Sequence, residues 1–380
     1  MVPRDFLWSL PGGHRDLRRK EGLLSRIHLD GWLLLGLLTL MASGLFVLYS
    51  ATGGSLDATL GQASRFGLAL LGMLVIAQIP PRYMQRWAPI IYGLTLLMLL
   101  AVLLLGINAK GAQRWISLGV FRVQPSELMK LALPLMLAAY LARCHLPPGW
   151  KNLFIAMTLM VIPIALIAVQ PDLGTSILVA GAGLVVLFLA GLSWRLIASF
   201  FALALAALPA LWMVMHDYQK NRVKTFLNPE SDPLGTGWNI IQSKTAIGSG
   251  GLHGKGWLEG TQSRLEFLPE RHTDFIIAVL AEETGLVGVT LLLTLYMLII
   301  WRGMLIALSV TDTFSRLMAS AVILTFFVYV FVNIGMVSGL LPVVGVPLPL
   351  VSFGGTSSIT IMAGFGILMS IHTHKSMAVG

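Results

Sequence analysis

The chain has 380 residues, of which 56% are hydrophobic and 11% charged, with a mean hydropathy of +0.81. Soluble domains carry roughly 25% charged residues, so this composition excludes an ordinary soluble fold and defines an integral membrane protein. The formal charge of +9 is scattered over loops and tails with no aromatic-interleaved basic stripe, which argues against nucleic-acid binding.

In chain order, a basic stretch at 1–30 holds six Lys or Arg and leads into ten apolar segments at 31–50, 64–80, 87–106, 127–143, 152–169, 173–190, 195–215, 275–301, 317–340 and 350–371. Each is close to the roughly 20 residues that a membrane crossing needs. Lipid offers no partner to backbone N–H and C=O groups, so spans of this length must be helices. The expectation is an all-α polytopic membrane protein with ten transmembrane helices. The first segment is longer than the ~7–15 residue core of a signal peptide and is expected to be retained. Lys and Arg recur in alternate loops at Arg82, Arg86, Arg143, Lys151, Arg195, Arg302, Arg316 and Lys375, which places those loops and both termini in the cytoplasm. The domain reading is a cytoplasmic tail at 1–30, a membrane domain at 31–371 and a short cytoplasmic tail at 372–380. A large extracytoplasmic loop, 216–274, lies between helices seven and eight. The single cysteine, Cys144, rules out an intramolecular disulfide, a CxxC pair and a cysteine zinc site.

Two outer loops break the charge rule. The first carries Lys110, Arg114, Trp115 and Arg122 and runs into Gln124, Ser126, Glu127 and Lys130 at the start of the fourth span. Arginine offers a planar fork and lysine a movable charge to phosphate oxygens, while an indole rests at headgroup level, so an anionic, lipid-linked ligand fits. Cations that merely touch lipid phosphates fit as well. Glu127 and Lys130, three apart, share a helix face. They read either as functional groups facing a wet cavity or as an ion pair that locks two helices.

The second exception, 216–274, holds seven Lys or Arg against seven Asp or Glu, with five glycines between 248 and 256. Walker A fails there because Ser249 replaces its first glycine and Gly256 follows the lysine; GxGxxG fails at His253. A turning backbone packed over a groove is the better reading. Glu266, Glu270, His272 and Asp274 then cluster just before the eighth span. Asp274 is balanced between a helix N-cap and a catalytic carboxylate kept ionised by the helix dipole. A metal held by Glu270, His272 and Asp274 would lack the helical spacing of HExxH. Polar groups at 170–175, Glu282, Glu283, Asn333 and 352–357 serve helix packing as readily as anion binding.

The segments at 110–115, 124–127, 170–175, 192–196, 242–251, 262–275, 330–351 and 371–374 together resemble the SEDS family, and its rod-shape branch more than its division branch. The match runs from about His28 onward, with Phe353 where a tyrosine is expected. The resemblance implies an inner-membrane peptidoglycan glycosyltransferase that polymerises lipid II on the periplasmic face. Its implied partners are a class B penicillin-binding protein, the transpeptidase, and other elongation-complex membrane proteins. It puts the essential aspartate at Asp274, acting as a general base in an inverting transfer that releases undecaprenyl pyrophosphate. Substrate-binding groups fall at Lys110, Arg114, Trp115, Gln124, Ser126, Glu127 and Lys130. The cofactor stays open: a divalent cation, Mg2+ or Mn2+, is one candidate to share the task of helping the leaving diphosphate, and the sequence shows no convincing ligand cage. Two other classes stay open: a lipid II flippase, which would share the polar bundle and the anionic ligand, and a non-enzymatic scaffold of the elongation complex, which would tolerate Asp274→Asn.

Overall fold

The structure is a computed structural model and describes residues 27–109, 112–117, 122–170, 172–214, 220–221, 224–226, 228–231, 236–264 and 270–374. A helix lies on each of the ten apolar segments: α1 Gly31–Ala51, α2 Leu56–Ala77, α3 Pro81–Leu105, α4 Pro125–Leu141, α5 Trp150–Val169, α6 Leu173–Leu189, α7 Trp194–Val214, α10 Ile276–Leu308, α11 Thr313–Val337 and α12 Thr356–Thr373. Two further helices, α8 Thr236–Gly250 and α9 Thr261–Arg264, fall within the large loop. Among the described residues, seven helices (α1, α2, α3, α5, α10, α11 and α12) are long and apolar enough to cross a membrane.

Helix starts follow local chemistry. Asp30 accepts the Leu33 N–H at 2.8 Å, Ser55 caps α2, Asp172 accepts the Thr175 N–H at 3.3 Å and Asp312 caps α11; short polar side chains satisfy otherwise orphaned donors at these ends. The Ser55 cap and a proline at the first position of α3 explain why α2 and α3 begin well before the predicted 64 and 87. Internal prolines are accommodated by neighbours. Pro163 cannot bond the Leu159 carbonyl, and Tyr92 of α3 donates to that carbonyl at 2.8 Å.

Three expectations are corrected. The fold is not purely helical: β1 Ile107–Ala109, β2 Ala112–Ser117 and β3 Arg122–Val123 form a small antiparallel sheet in the order β1-β2-β3. The last helix starts at Thr356 rather than 350, because 350–355 is irregular. The loop between α7 and α10 is not a simple polar excursion, since α8 packs along α10 and α11, with Ser243 donating to the Val337 carbonyl at 2.9 Å.

The glycine run has a definite role. α10 is interrupted at Gly285, whose φ of 66° and ψ of −161° are accessible essentially to glycine alone. An unbroken helix would bond the N–H groups of Leu286 and Val287 to the carbonyls of Glu282 and Glu283. Here the run supplies both sets of partners. Leu286 and Val287 donate to Gly251 and Leu252 at 3.0 and 3.2 Å, while Lys255 and Gly256 donate to Glu282 and Glu283 at 3.0 Å each. The approach is so close that a Cβ on Gly254 would stand 2.1 Å from the Glu283 carbonyl oxygen. Buried Glu282 completes the splint, accepting from Lys255 Nζ at 2.8 Å, Thr261 Oγ1 at 3.0 Å and the Gln262 N–H at 2.9 Å.

At the opposite end, Arg302 of α10 bonds Asp30 through Nε at 3.2 Å and through Nη2, with His372 Nε2 3.3 Å from the same carboxylate. Burial acts to raise the Asp30 pKa. The bonds from Arg302 and the Leu33 N–H, and the neighbouring charges, outweigh it and hold the carboxyl below its ordinary value. A lowered folded pKa contributes stability above the unfolded carboxyl's pKa that is lost as pH falls through the folded one, so this clamp loosens only in acid.

Gly285→Ala is expected to destabilise the detergent-solubilised protein by about 3 kcal/mol or more through strain and collision, read as a lowered Tm. Gly61→Ala, on a helix face with nothing within 4 Å of the new Cβ, should leave Tm unchanged or slightly raised.

Candidate active site

The predicted site residues gather at the end of the bundle away from Asp30. Lys110 lies outside the described residues, as does Glu266. The sheet carries Arg114 and Trp115 on β2, with Trp115 opposite Ile107 and the β3 pairing delivering the chain to α4. Pro125 opens α4, and Ser126, Glu127 and Lys130 are all buried in its first two turns.

Asp172, at the start of α6, ties this half together. Its Oδ2 accepts from Gln124 Nε2 at 3.1 Å and lies 3.8 Å from Arg114 Nε, while Gln124 also donates to Ser126 Oγ at 3.1 Å. Glu127 and Lys130 form the expected pair, with Lys130 Nζ 2.6 Å from Oε1 and 4.8 Å from the centre of the Tyr329 ring on α11. A buried ammonium held by a carboxylate and an aromatic face is well compensated.

Asp274 belongs to a second half. The reading of this residue as the N-cap of α10 is corrected: Phe275 occupies the N-cap. The carboxylate instead lies against Gly345, where a Cβ would stand 3.4 Å from Oδ2; Gly345 has φ of 75°, so a larger residue is disfavoured on both counts. Asp274 opens onto a cavity of about 160 Å³ lined by Thr225, Asn239, Glu270 and Val343, beneath α8. The preceding turn is pinned to 348–353. Phe353 donates its N–H to the His272 carbonyl at 2.9 Å, and Ser352 Oγ donates to the Thr273 carbonyl while accepting the Leu348 N–H at 2.8 Å. Among the described residues no three of His, Cys, Asp and Glu converge on a point, so Glu270, His272 and Asp274 do not form the donor set a divalent cation needs.

The halves meet on α11. Asn333, fully buried, donates from Nδ2 to the Asp274 carbonyl at 2.9 Å and to the Val346 carbonyl at 2.7 Å. Tyr329, one turn earlier and about 6 Å along the axis, touches Lys130. The sequence leaves Asp172 and Asn333 open between helix packing and function, and Tyr329 gives no signal of its own. A buried asparagine within an apolar span is the one cue that pointed here.

Fold and site together define a polytopic membrane protein with a carboxylate and a charged pair around one end of its bundle. The chain belongs to the family of cell cycle proteins that includes FtsW, RodA and SpoVE, the SEDS family, whose model matches residues 23–377. It is 57% identical over 363 residues to the peptidoglycan glycosyltransferase MrdB of Escherichia coli K12, covering 95% of this chain and 98% of that one. Among solved structures it is similar to a chain of a peptidoglycan synthase complex described as coordinating polymerisation and crosslinking (34% identity, TM-score 0.82) and to the rod shape determining protein RodA of Thermus thermophilus (32% identity, TM-score 0.70). Each comparison covers 92% of this chain and 98% of the other.

Asn333→Leu would leave two buried carbonyls without a donor, at roughly 1–3 kcal/mol each, and is expected to lower Tm measurably. Glu127→Gln or Lys130→Met alone should cost about 3–5 kcal/mol, with the double substitution recovering most of it. Glycan synthesis should stay low in the double variant; full recovery of synthesis would reduce the pair to a helix lock.

Proposed function

We infer that this protein is a peptidoglycan glycosyltransferase of the inner membrane that polymerises lipid II, with Asp274 as its general base. The family, the near full-length identity to a named glycosyltransferase and the cavity opened by Asp274 support this reading. The chain crosses the membrane ten times with both termini in the cytoplasm. Its site then faces the periplasm, since the Arg82, Arg86, Arg143, Lys151 and Arg195 loops lie at the other end.

The acceptor sugar's 4-hydroxyl attacks the anomeric carbon of the donor's terminal N-acetylmuramic acid. Asp274 takes the hydroxyl proton as the new C–O bond forms, and the bond to the diphosphate breaks with its electrons leaving on undecaprenyl pyrophosphate. An α-linked donor giving a β-1,4 product means single displacement with inversion. A positioned base contributes typically ~10²–10⁴, so charge on the leaving group must be met as well. Arg114, Trp115, Gln124, Ser126, Glu127 and Lys130 form the basic-aromatic wall that holds the substrate, and Lys110, outside the described residues, is a further substrate-binding cation. A class B penicillin-binding protein is the working partner, a reading supported by the similar chain in a complex coupling polymerisation to crosslinking.

The test is synthesis of glycan from lipid II by purified protein with its transpeptidase. Asp274→Asn should abolish polymer by at least about 10² while keeping Tm and complex formation. Full-length polymer from that variant would overturn the base assignment; movement of lipid II between leaflets without its consumption would favour a flippase.

A further inference from the structure

The described cations of the wall are already neutralised. Lys130 is held by Glu127 and Arg114 lies beside Asp172, while Lys255 is committed to Glu282 in the splint. Arg65 is different. It projects from α2 with its guanidinium carbon 4.4 Å from the centre of the Phe353 ring and its Nη1 3.4 Å from Gln62 Oε1, and among the described residues no carboxylate pairs with it.

Its placement is fixed from three sides. Gln62, fully buried, donates to the Gly354 carbonyl at 3.1 Å and accepts the Gly354 N–H at 3.2 Å, locking α2 to the chain before α12. Gly355 leaves room for the arginine stem, since a Cβ there would stand 3.3 Å from Arg65 Cδ. Phe353 ties the assembly to the catalytic corner, with its N–H on the His272 carbonyl and its ring edge-on to the His272 imidazole at 6.0 Å, two residues before Asp274. A ring face keeps a guanidinium in place without cancelling its charge, and leaves N–H edges free to fork onto an oxyanion. A cation kept half-buried at membrane depth without a counter-ion is costly unless it meets an anion there.

We propose that Arg65 binds the diphosphate of the polyprenyl-linked saccharide donor and takes up the charge that develops on it as the glycosidic bond breaks. The proposal rests on the glycosyltransferase reading above. Arg65 forms no covalent bond and moves no proton: the hydroxyl proton goes to Asp274, and the electron pair of the broken C–O bond departs on the diphosphate beside Arg65.

Equilibrium binding of fluorescent lipid II, measured on the full-length Asp274→Asn protein in phosphatidylglycerol-containing nanodiscs, tests this without turnover. Adding Arg65→Met, which keeps the stem on Gly355 but loses the charge, is expected to weaken binding about tenfold, the scale of one charge-assisted hydrogen bond, with Arg65→Lys recovering part. Inorganic pyrophosphate should compete with lipid II in the Arg65 protein and lose that effect in Arg65→Met. Unchanged affinity and unchanged competition would overturn the proposal. A loss that disappears in nanodiscs without anionic lipid would also overturn it, because Arg65 would then be reading membrane headgroups. Polymer made by Asp274→Asn would sink the base assignment alone and leave this binding comparison standing.

Discussion

The amide of Asn333 is the interaction on which the site depends. One Nδ2 donates to the Asp274 and Val346 carbonyls, from two segments on either side of α11 that have irregular backbone near a membrane face. Irregular backbone cannot be left unpaired there, because neither lipid nor a dry protein interior supplies a substitute. The asparagine therefore fixes where the chain enters α10, and with it the backbone that carries the Asp274 carboxylate. Tyr329 on the preceding turn of the same helix seats Lys130, so a single rigid rod sets the spacing of the acid and the charged pair.

The same requirement explains the loop architecture. Breaking α10 at Gly285 frees four backbone groups, and the glycine run pairs all four. That exchange anchors the large loop to a transmembrane helix, with Glu282 holding Thr261 and Gln262 at its outgoing end. Trp257 adds a further anchor by stacking on Phe46 of α1 at 4.7 Å. Among the described residues of the loop, Asn239 and Ile240 of α8 roof the Asp274 cavity, and the glycine run that follows α8 is fastened to α10 by backbone complementarity.

Much of this was legible in the chain because hydropathy is local. The ten apolar segments each contain a helix, and the three-residue spacing of Glu127 and Lys130 puts them on one helix face, where they pair. What stayed hidden depends on contacts distant in sequence. The glycine run reads in sequence as a turning backbone packed over a groove, and its role as a splint stays hidden because its partners lie about 30 residues away around Gly285. α8 was missed because its buried stripe, Ile240, Ser243 and Ala246, is made mostly of small or polar residues that carry little hydrophobic signal. Asp274 resembled a cap by position, and only the backbone at Phe275 shows that the helix starts without it. Arg65 carried no motif at all; its meaning comes from Phe353, far along the chain.

The central proposal is that Asp274 takes the proton from the acceptor hydroxyl while the donor's diphosphate lies beside Arg65. A structure of the Asp274→Asn protein with lipid II bound tests it most directly. The account predicts the acceptor 4-hydroxyl within roughly 2.6–3.2 Å of the residue 274 side chain, the reach of a general base, and the donor diphosphate beside Arg65. A hydroxyl bound beyond that reach with no water between, or a diphosphate seated away from both Arg65 and the Arg114 wall, would contradict it.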